Sequence, residues 1–377
     1  MTNRVQEETG KLKEEASCLS ERLAGETKER KRLHNLVLDL KGNIRVFCRA
    51  RPARSSSLAP PIVSYPAPNE LLVEAGGKSQ TFSYDATFGP QAQQDEIFRE
   101  AQPLVVSVLD GYHVCILAYG QTGSGKTHTM QGTASSPGVN TRALGELFAL
   151  AAERAKEHDF KIKISLLEIY NETIRDLLEP LDEKGEEKKL DVKLGQDGGT
   201  CVPGVLTSEV ESMEEVMQAL QRGEQNRSVA GTDMNEHSSR SHMVLTVYTQ
   251  GTSKATGTRS FGKLHLIDLA GSERLRRTCA EGERLKEAQN INKSLSALGD
   301  CMQSLVAKSK HVPYRNSKLT FLLQDSLGGD AKALMFVCIS SEEADAGETL
   351  CSLNFASRVR NVVLGPAKVS GGEQGEH

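Results

Sequence analysis

The sequence predicts an α/β fold, a central sheet covered by helices on both faces, and three observations carry that expectation. Compact apolar runs of strand length alternate with longer stretches of helical periodicity from about residue 44 to residue 360. One apolar run, 113–119, leads directly into Gly120-Gln121-Thr122-Gly123-Ser124-Gly125-Lys126-Thr127, a turn of the G-x-x-x-x-G-K-[ST] type. Another, 261–269, carries Asp268 near its end.

The first forty residues stand apart. Val5, Leu12, Leu19, Glu26, Leu33 and Leu40 recur at steps of seven, and Thr9, Ala16, Leu23, Arg30 and Val37 interleave with them. All but Thr9, Glu26 and Arg30 are apolar, so residues 1–41 read as a neck helix suited to a two-stranded coiled coil. Gly10, Gly25, Glu26 and Arg30 weaken that seam. Because the chain begins inside the pattern, it reads as part of a larger protein. Lys41-Gly42-Asn43 ends the helix, and a strand follows at 44–48. Further strands are expected at 113–119, 161–170, 261–269 and 333–340. Helices are expected at 95–110, 141–157, 212–228, 290–308 and 317–327. The stretches 54–61 and 179–189 are rich in Pro, Ser or charge and read as exposed loops, and 364–377 reads as a flexible tail.

Composition excludes several classes. With 38% hydrophobic and 25% charged residues, the 377-residue chain reads as an ordinary globular protein. It has no apolar run of about 18 residues and no secretory leader, so membrane insertion is not expected. Eight cysteines without CxxC spacing point to reduced thiols and a cytosolic setting. A net charge of −4 does not suggest a nucleic-acid partner.

The glycine-rich turn is built to cradle phosphate. Glycines let backbone amides converge on phosphate oxygens, and a helix opening at 127–132 adds its positive end. Lys126 can reach the β- and γ-phosphates, and Thr127 Oγ1 can ligate Mg²⁺. Such sites need a second acidic ligand on a neighbouring strand. Asp268 supplies one, acting through water, and the Gly271 amide three residues later can sense a γ-phosphate. A third piece is Asn-Glu-His-Ser-Ser-Arg-Ser-His, 235–242, too polar for a core strand. As a switch segment it would bring Ser239 to the metal and γ-phosphate and pair Arg240 with Glu273. Asp268 to Gly271 also fits the DxxG switch of GTPases, but Asn292-Lys293 lacks the guanine-reading Asp two residues on, which disfavours GTP. Myosins and ABC-type ATPases remain open on the cradle alone.

Five stretches in order, "AYGQTGSGKTHTM", "NEHSSRSH", "DLAGSE", "NINKSLSALG" and "HVPYRNSKLTFLLQDSLGG", closely resemble the kinesin motor domain, and the resemblance runs from Gly42 to Val363. It implies a P-loop NTPase fold with a mixed eight-stranded sheet flanked by three helices on each face, as a motor domain over 42–363. It also implies Mg-ATP hydrolysis, with ADP as bound product, stimulated by microtubules. The heptads run straight into the first strand and none follow "NFASRVRNVVLGPAKVSGG". That layout resembles the C-terminal-motor, minus-end-directed kinesin-14 group. A homodimer or heterodimer through the coiled coil, and a cytoplasmic place on microtubules and the spindle, follow from the same resemblance. A non-motile or catalytically weak microtubule cross-linker is the alternative it leaves.

Residue by residue, the resemblance places the base pocket at Arg49, Arg51 and Pro52, where Ala50 replaces a commonly bulkier neighbour, and stacks His128 on adenine. Gly120 to Thr127 hold the phosphates. Arg240 and Glu273 form the switch salt bridge that closes on the attacking water. Filament contacts map to Lys293, His311, Arg315 and Lys318. From Arg274 to Lys318, ten Lys or Arg face four Asp or Glu, a local charge of +6 in a chain of −4, which suits an acidic filament. Cys279 stands where relatives often have Gly. Asp268 to Gly271 lie directly before this basic segment, so loss of γ-phosphate can shift the filament-binding helix without a long relay.

Overall fold

The structure, a computed structural model, describes residues 2–40, 44–54, 60–179, 188–195, 199–229, 238–274, 283–328, 331–362 and 367–370. The expected helix stop at 41–43, most of the loops 54–61 and 179–189, residues 235–237, Cys279 and most of the tail lie outside them. Contacts divide the chain into two compact units, Met1–Gly42 and Asn43–His377.

The first unit is one helix, α1 (Thr2–Leu40), continuous through both glycines. Of the heptad seam, Leu12, Leu19, Leu33 and Val37 are exposed. Its surface carries short-range ion pairs, Arg22 with Glu26 at 3.3 Å and Arg32 with Glu29 at 2.8 Å.

In the second unit the strands are β1 (Ile44–Arg51), β2 (Val63–Ala67), β3 (Glu70–Ala75), β4 (Lys78–Ser83), β5 (Ala86–Phe88), β6 (His113–Tyr119), β7 (His158–Tyr170), β8 (Thr173–Asp176), β9 (Lys193–Leu194), β10 (Thr200–Cys201), β11 (Ser208–Glu209), β12 (His242–Ser253), β13 (Arg259–Asp268) and β14 (Lys332–Ser340). The helices are α2 (Gln94–Leu109), α3 (Lys126–Met130), α4 (Val139–Glu153), α5 (Met213–Val229), α6 (Glu283–Val306), α7 (Lys318–Leu322), α8 (Gln324–Leu327) and α9 (Ala346–Arg360). Eight strands run in the order β11-β7-β12-β13-β6-β14-β1-β5, and β8 pairs with β7 as a hairpin arm. The half from β13 to β5 is parallel and the half from β11 to β13 is antiparallel, the mixed sheet expected.

Period-two alternation divides the core between the two faces. Val46 and Cys48 of β1, Cys115 and Leu117 of β6, and Met335 and Val337 of β14 share one cluster with Leu298 of α6, Leu322 of α7, Leu327 of α8 and Phe355 of α9. The alternate residues meet the other face, where α2 buries Ile97, Ala101, Leu104, Val105 and Val108. α4 packs on α2 and on both α3 and α5, so that face also carries the cradle helix, split into α3 and α4, and α5. Among the described residues each face thus holds three helical units. The expected helix 317–327 is split too, at Leu323, into α7 and α8.

The structure adds elements the sequence reading did not list, among them β12 and α9. A separate antiparallel sheet of β2, β3 and β4 forms where no strands were expected. The polar stretch 235–242, read as unable to join a core strand, ends by starting one. β12 begins at His242, and Ser241 and His242 are both buried. Burial is tolerated because each polar group there is hydrogen-bonded, as the site shows.

Candidate functional site

Strand register sets the site. Asp268 of β13 lies opposite Ala118 of β6, two residues before Gly120, so the strand-end carboxylate faces the turn that follows β6. On the other side Val337 of β14 lies opposite Tyr119. The turn itself needs glycine: Gly120, Gly123 and Gly125 have φ of +146°, +74° and +99°. A Cβ at Gly120 would also run into Cys338 O and Ser124 Oγ.

Lys126 is buried and donates Nζ–H to Gly120 O at 2.9 Å and Gln121 O at 3.1 Å. Burial lowers its pKa, while Asp268 and Glu273 pull it back up. Thr127 Oγ1 donates to Asp268 Oδ2 at 2.6 Å. Burial raises the Asp268 pKa, opposed by Lys126 and the Thr127 hydroxyl. Asp268 Oδ1 is buried with no hydrogen-bond partner, as are Ser124 Oγ and Gln121 Oε1. A hydroxyl beside an unpartnered carboxylate oxygen is the donor set a hard cation takes.

The base side is a cleft lined by Arg49, Arg51, Pro52, Ser124, Gly125 and His128. Arg49 is held inside it, Nη1 donating to Gln94 Oε1 and Thr129 Oγ1, both at 3.0 Å. Gln94 in turn donates to His128 O at 2.6 Å. Arg51 turns away, pairing with Glu342 at 3.0 Å and Asp345 at 3.5 Å. Burial, then the Arg49 charge, lowers the His128 pKa.

The switch residues gather at the same sheet edge with partners that differ in part from those expected. Gly271 N donates to Ser239 O at 2.8 Å, joining the two switch segments directly. Glu273 does not pair with Arg240 among the described ion pairs. Its carboxylate accepts from Thr122 instead, from N at 2.9 Å and Oγ1 at 2.7 Å. The physical reason is proximity: Gly271 and Ser272 lay the chain along the cradle, with Ser272 N donating to Gly120 O at 3.1 Å, and that delivers Glu273 to Thr122.

Residues that the sequence reading did not single out hold the switch in place. Glu168, fully buried, accepts from Arg227 Nε at 2.9 Å and from Ser241 Oγ at 2.7 Å. His242 Nδ1 accepts from Ala270 N at 3.0 Å, and its Nε2 lies 2.7 Å from Ser294 Oγ on α6. Burial pushes the His242 pKa down to about 3, with Lys126 and Arg227 adding to the effect. The hairpin tip between β7 and β8, Asn171 and Glu172, has positive φ at both residues. Asn171 bonds Asn290 of α6, and Glu172 accepts from Lys318 N at 3.1 Å. Asn at a tight turn was the available signal.

Where the filament contacts are expected, α6 packs against 314–316 and α7. Lys293, His311 and Arg315 are exposed, and the Arg315 guanidinium lies 5.2 Å from the Phe321 ring centroid. Lys318 is half-buried and its Nζ pairs with Asp191 at 2.5 Å.

Comparison with known proteins agrees with this arrangement. A model of the kinesin motor domain matches residues 66–362. The chain is 52% identical over 349 residues to the kinesin-like protein KIN-14E of Oryza sativa subsp. japonica, covering 91% of this chain and 32% of that one. It is 50% identical over 353 residues to KIN-14Q of Arabidopsis thaliana, covering 92% and 29%. The chain thus spans about a third of the length of these relatives. Among solved structures, the C-terminal motor and motor homology domain of Kar3Vik1, fused to a synthetic heterodimeric coiled coil, superposes with a TM-score of 0.79 at 39% identity, covering 94% of this chain and 98% of that one. Cradle, switch segments and sheet order together with these matches lead to one conclusion: the chain belongs to the kinesin motor-domain family, in its kinesin-14 group.

Proposed function

We propose that the chain is a microtubule-stimulated ATPase that turns Mg-ATP hydrolysis into movement toward microtubule minus ends. The observation that supports this most is the meeting of the cradle, Asp268, the Gly271 amide and Glu273 at one sheet edge, from which His242 reaches helix α6 within the basic segment 274–318. Thr127 Oγ1 and Asp268, the latter through water, would hold Mg²⁺, which when bound neutralises charge on the phosphate oxygens. The unpartnered Asp268 Oδ1 fits that role.

The chain's own groups do the rest. Lys126 exchanges its two carbonyl partners for phosphate oxygens. The amides of 120–127 orient the phosphates, and His128 and Pro52 flank the base. The Gly271 amide leaves Ser239 O to meet the γ-phosphate. Arg240 takes Glu273 from Thr122, and Ser239 and the closed pair position the attacking water. Lys293, His311, Arg315 and Lys318 grip the acidic filament. The exposed seam of α1 supports a neck, 1–41, that pairs as a homo- or heterodimer ahead of a motor, 42–363, and a tail, 364–377. The cellular place that follows is the cytoplasm, on microtubules and the spindle.

Phosphate release with and without microtubules tests the catalytic reading. Stimulation by microtubules is the expected result, and turnover indifferent to them would leave a non-motile cross-linker. Gliding on polarity-marked microtubules tests direction.

A further inference from the structure

One buried imidazole touches both ends of the machine. Met243 lies opposite Asp268 in the pairing of β12 with β13, so His242 sits one step beyond the carboxylate, where β13 gives way to Leu269 and Ala270. The backbone N–H of Ala270 can only donate, so Nδ1 of His242 is the bare nitrogen and Nε2 carries the proton. Nε2–H therefore donates to Ser294 Oγ at 2.7 Å, and Ser294 Oγ–H passes on to Ile291 O at 2.8 Å. The chain of donors runs in one direction, from the switch backbone, through the ring, into the backbone of α6. The bonds from Ala270 through the ring to Ser294 are buried, Ile291 is half-buried, and Ser294 is the neighbour of exposed Lys293.

The ring has little freedom of its own. Ser241, the preceding residue, is clamped by Glu168 and Arg227, each at 2.7 Å. On the following side, β12 is paired with both β7 and β13. A displacement of Ala270 or of Ser294 must then either carry the other with it or break a hydrogen bond in a place that water does not reach.

We propose that His242 and Ser294 are positioning residues that couple the γ-phosphate switch to the filament helix, so that the hydrogen bond between them is strong in one nucleotide state and weakened in the other. This rests on the microtubule-motor reading above and assigns its coupling to one contact. Neither side chain touches nucleotide or filament in this account; both act through Ala270 and α6.

The test is the ratio of microtubule Kd values measured with the full chain in ADP and in a non-hydrolysable ATP analogue. A role in folding alone would move both Kd values, or the melting temperature, and leave the ratio where it was. Ser294→Ala removes the acceptor of Nε2–H. The ratio is expected to fall about tenfold, within the range usual for coupling between sites, with basal ATPase unchanged. Ser294→Thr, which keeps the hydroxyl, is expected to restore it. If Ser294→Ala does not fold, His242→Asn serves, because its amide can still accept from Ala270 but cannot reach Ser294. A wild-type ratio in either folded variant overturns the proposal. If the unmodified chain shows no dependence of filament affinity on nucleotide and no stimulated turnover, the motor reading itself fails and the coupling falls with it.

Discussion

The Glu273 carboxylate accepts both the amide and the hydroxyl of Thr122, at 2.9 and 2.7 Å, so the phosphate loop itself holds the switch glutamate. If closure requires Glu273 to leave for Arg240, Thr122 competes with closure. Thr122→Ala removes one hydrogen bond to a charged, solvent-facing group and is expected to raise basal turnover by about threefold. Glu273→Ala removes the group proposed to act in the transition state and is expected to lower kcat by about 10²- to 10³-fold. Single-turnover phosphate release separates the two. A Thr122→Ala enzyme as slow as Glu273→Ala would make the observed pair part of the catalytic arrangement.

Gly120 is the least replaceable glycine of the cradle. Its φ of +146° disfavours any side chain, and a Cβ there points at Cys338 O, which β14 cannot withdraw without disturbing the pairing of Cys338 with Arg49 of β1. Gly120→Ala is expected to cost at least about 2 kcal/mol of stability and to abolish nucleotide retention. Thermal unfolding with and without ADP reads both effects.

His242 makes stability depend on acid. Its folded pKa, about 3, lies below the ordinary 6.5 because burial disfavours the imidazolium. Between those values the unfolded chain binds a proton that the folded chain refuses. The stability is therefore fully present above about pH 6.5 and is lost as pH falls toward 3, by roughly 1.4 kcal/mol per pH unit. His265, also buried, is shifted in the same direction. Urea unfolding between pH 7 and pH 5 should show this slope, and His242→Gln should reduce it by about one proton.

Of the proposed filament contacts, Lys318 is expected to contribute less than its charge implies. Its ammonium is engaged by Asp191, whose own pKa is lowered by that contact, while Lys293 is exposed. Lys293→Ala is expected to weaken microtubule binding by about fivefold at low salt, and Lys318→Ala by about half that. Asp191→Asn frees Lys318 and is expected to tighten binding about twofold. Cosedimentation at two ionic strengths checks all three, since the differences should shrink as salt rises.

Much of the site was legible in residue order. The cradle reads directly because its chemistry is local: glycines at fixed spacing, then Lys126 and Thr127, within eight residues of chain. Strand 113–119 was legible to the residue because a short apolar run between turn signals has few alternatives. β12 was not expected at all, and its start was hidden because Ser241 and His242 look solvated until Glu168, Arg227 and Ser294 arrive from β7, α5 and α6 to satisfy them. The small β2–β4 sheet was hidden for a similar reason: several of its residues are polar and exposed, and it is held by pairing between strands rather than by a pattern within one.

Local covalent order therefore determined the phosphate-binding turn, the strand-ending aspartate, the heptad helix and the family to which the chain belongs. Tertiary structure alone decided which partner each charged or polar group meets: Glu273 with Thr122, Lys318 with Asp191, His242 with Ala270 and Ser294. The reason is that a hydrogen bond is chosen by a distance of about 3 Å, and that distance is set by how strands register and helices pack, across separations of 28 to 151 residues along the chain.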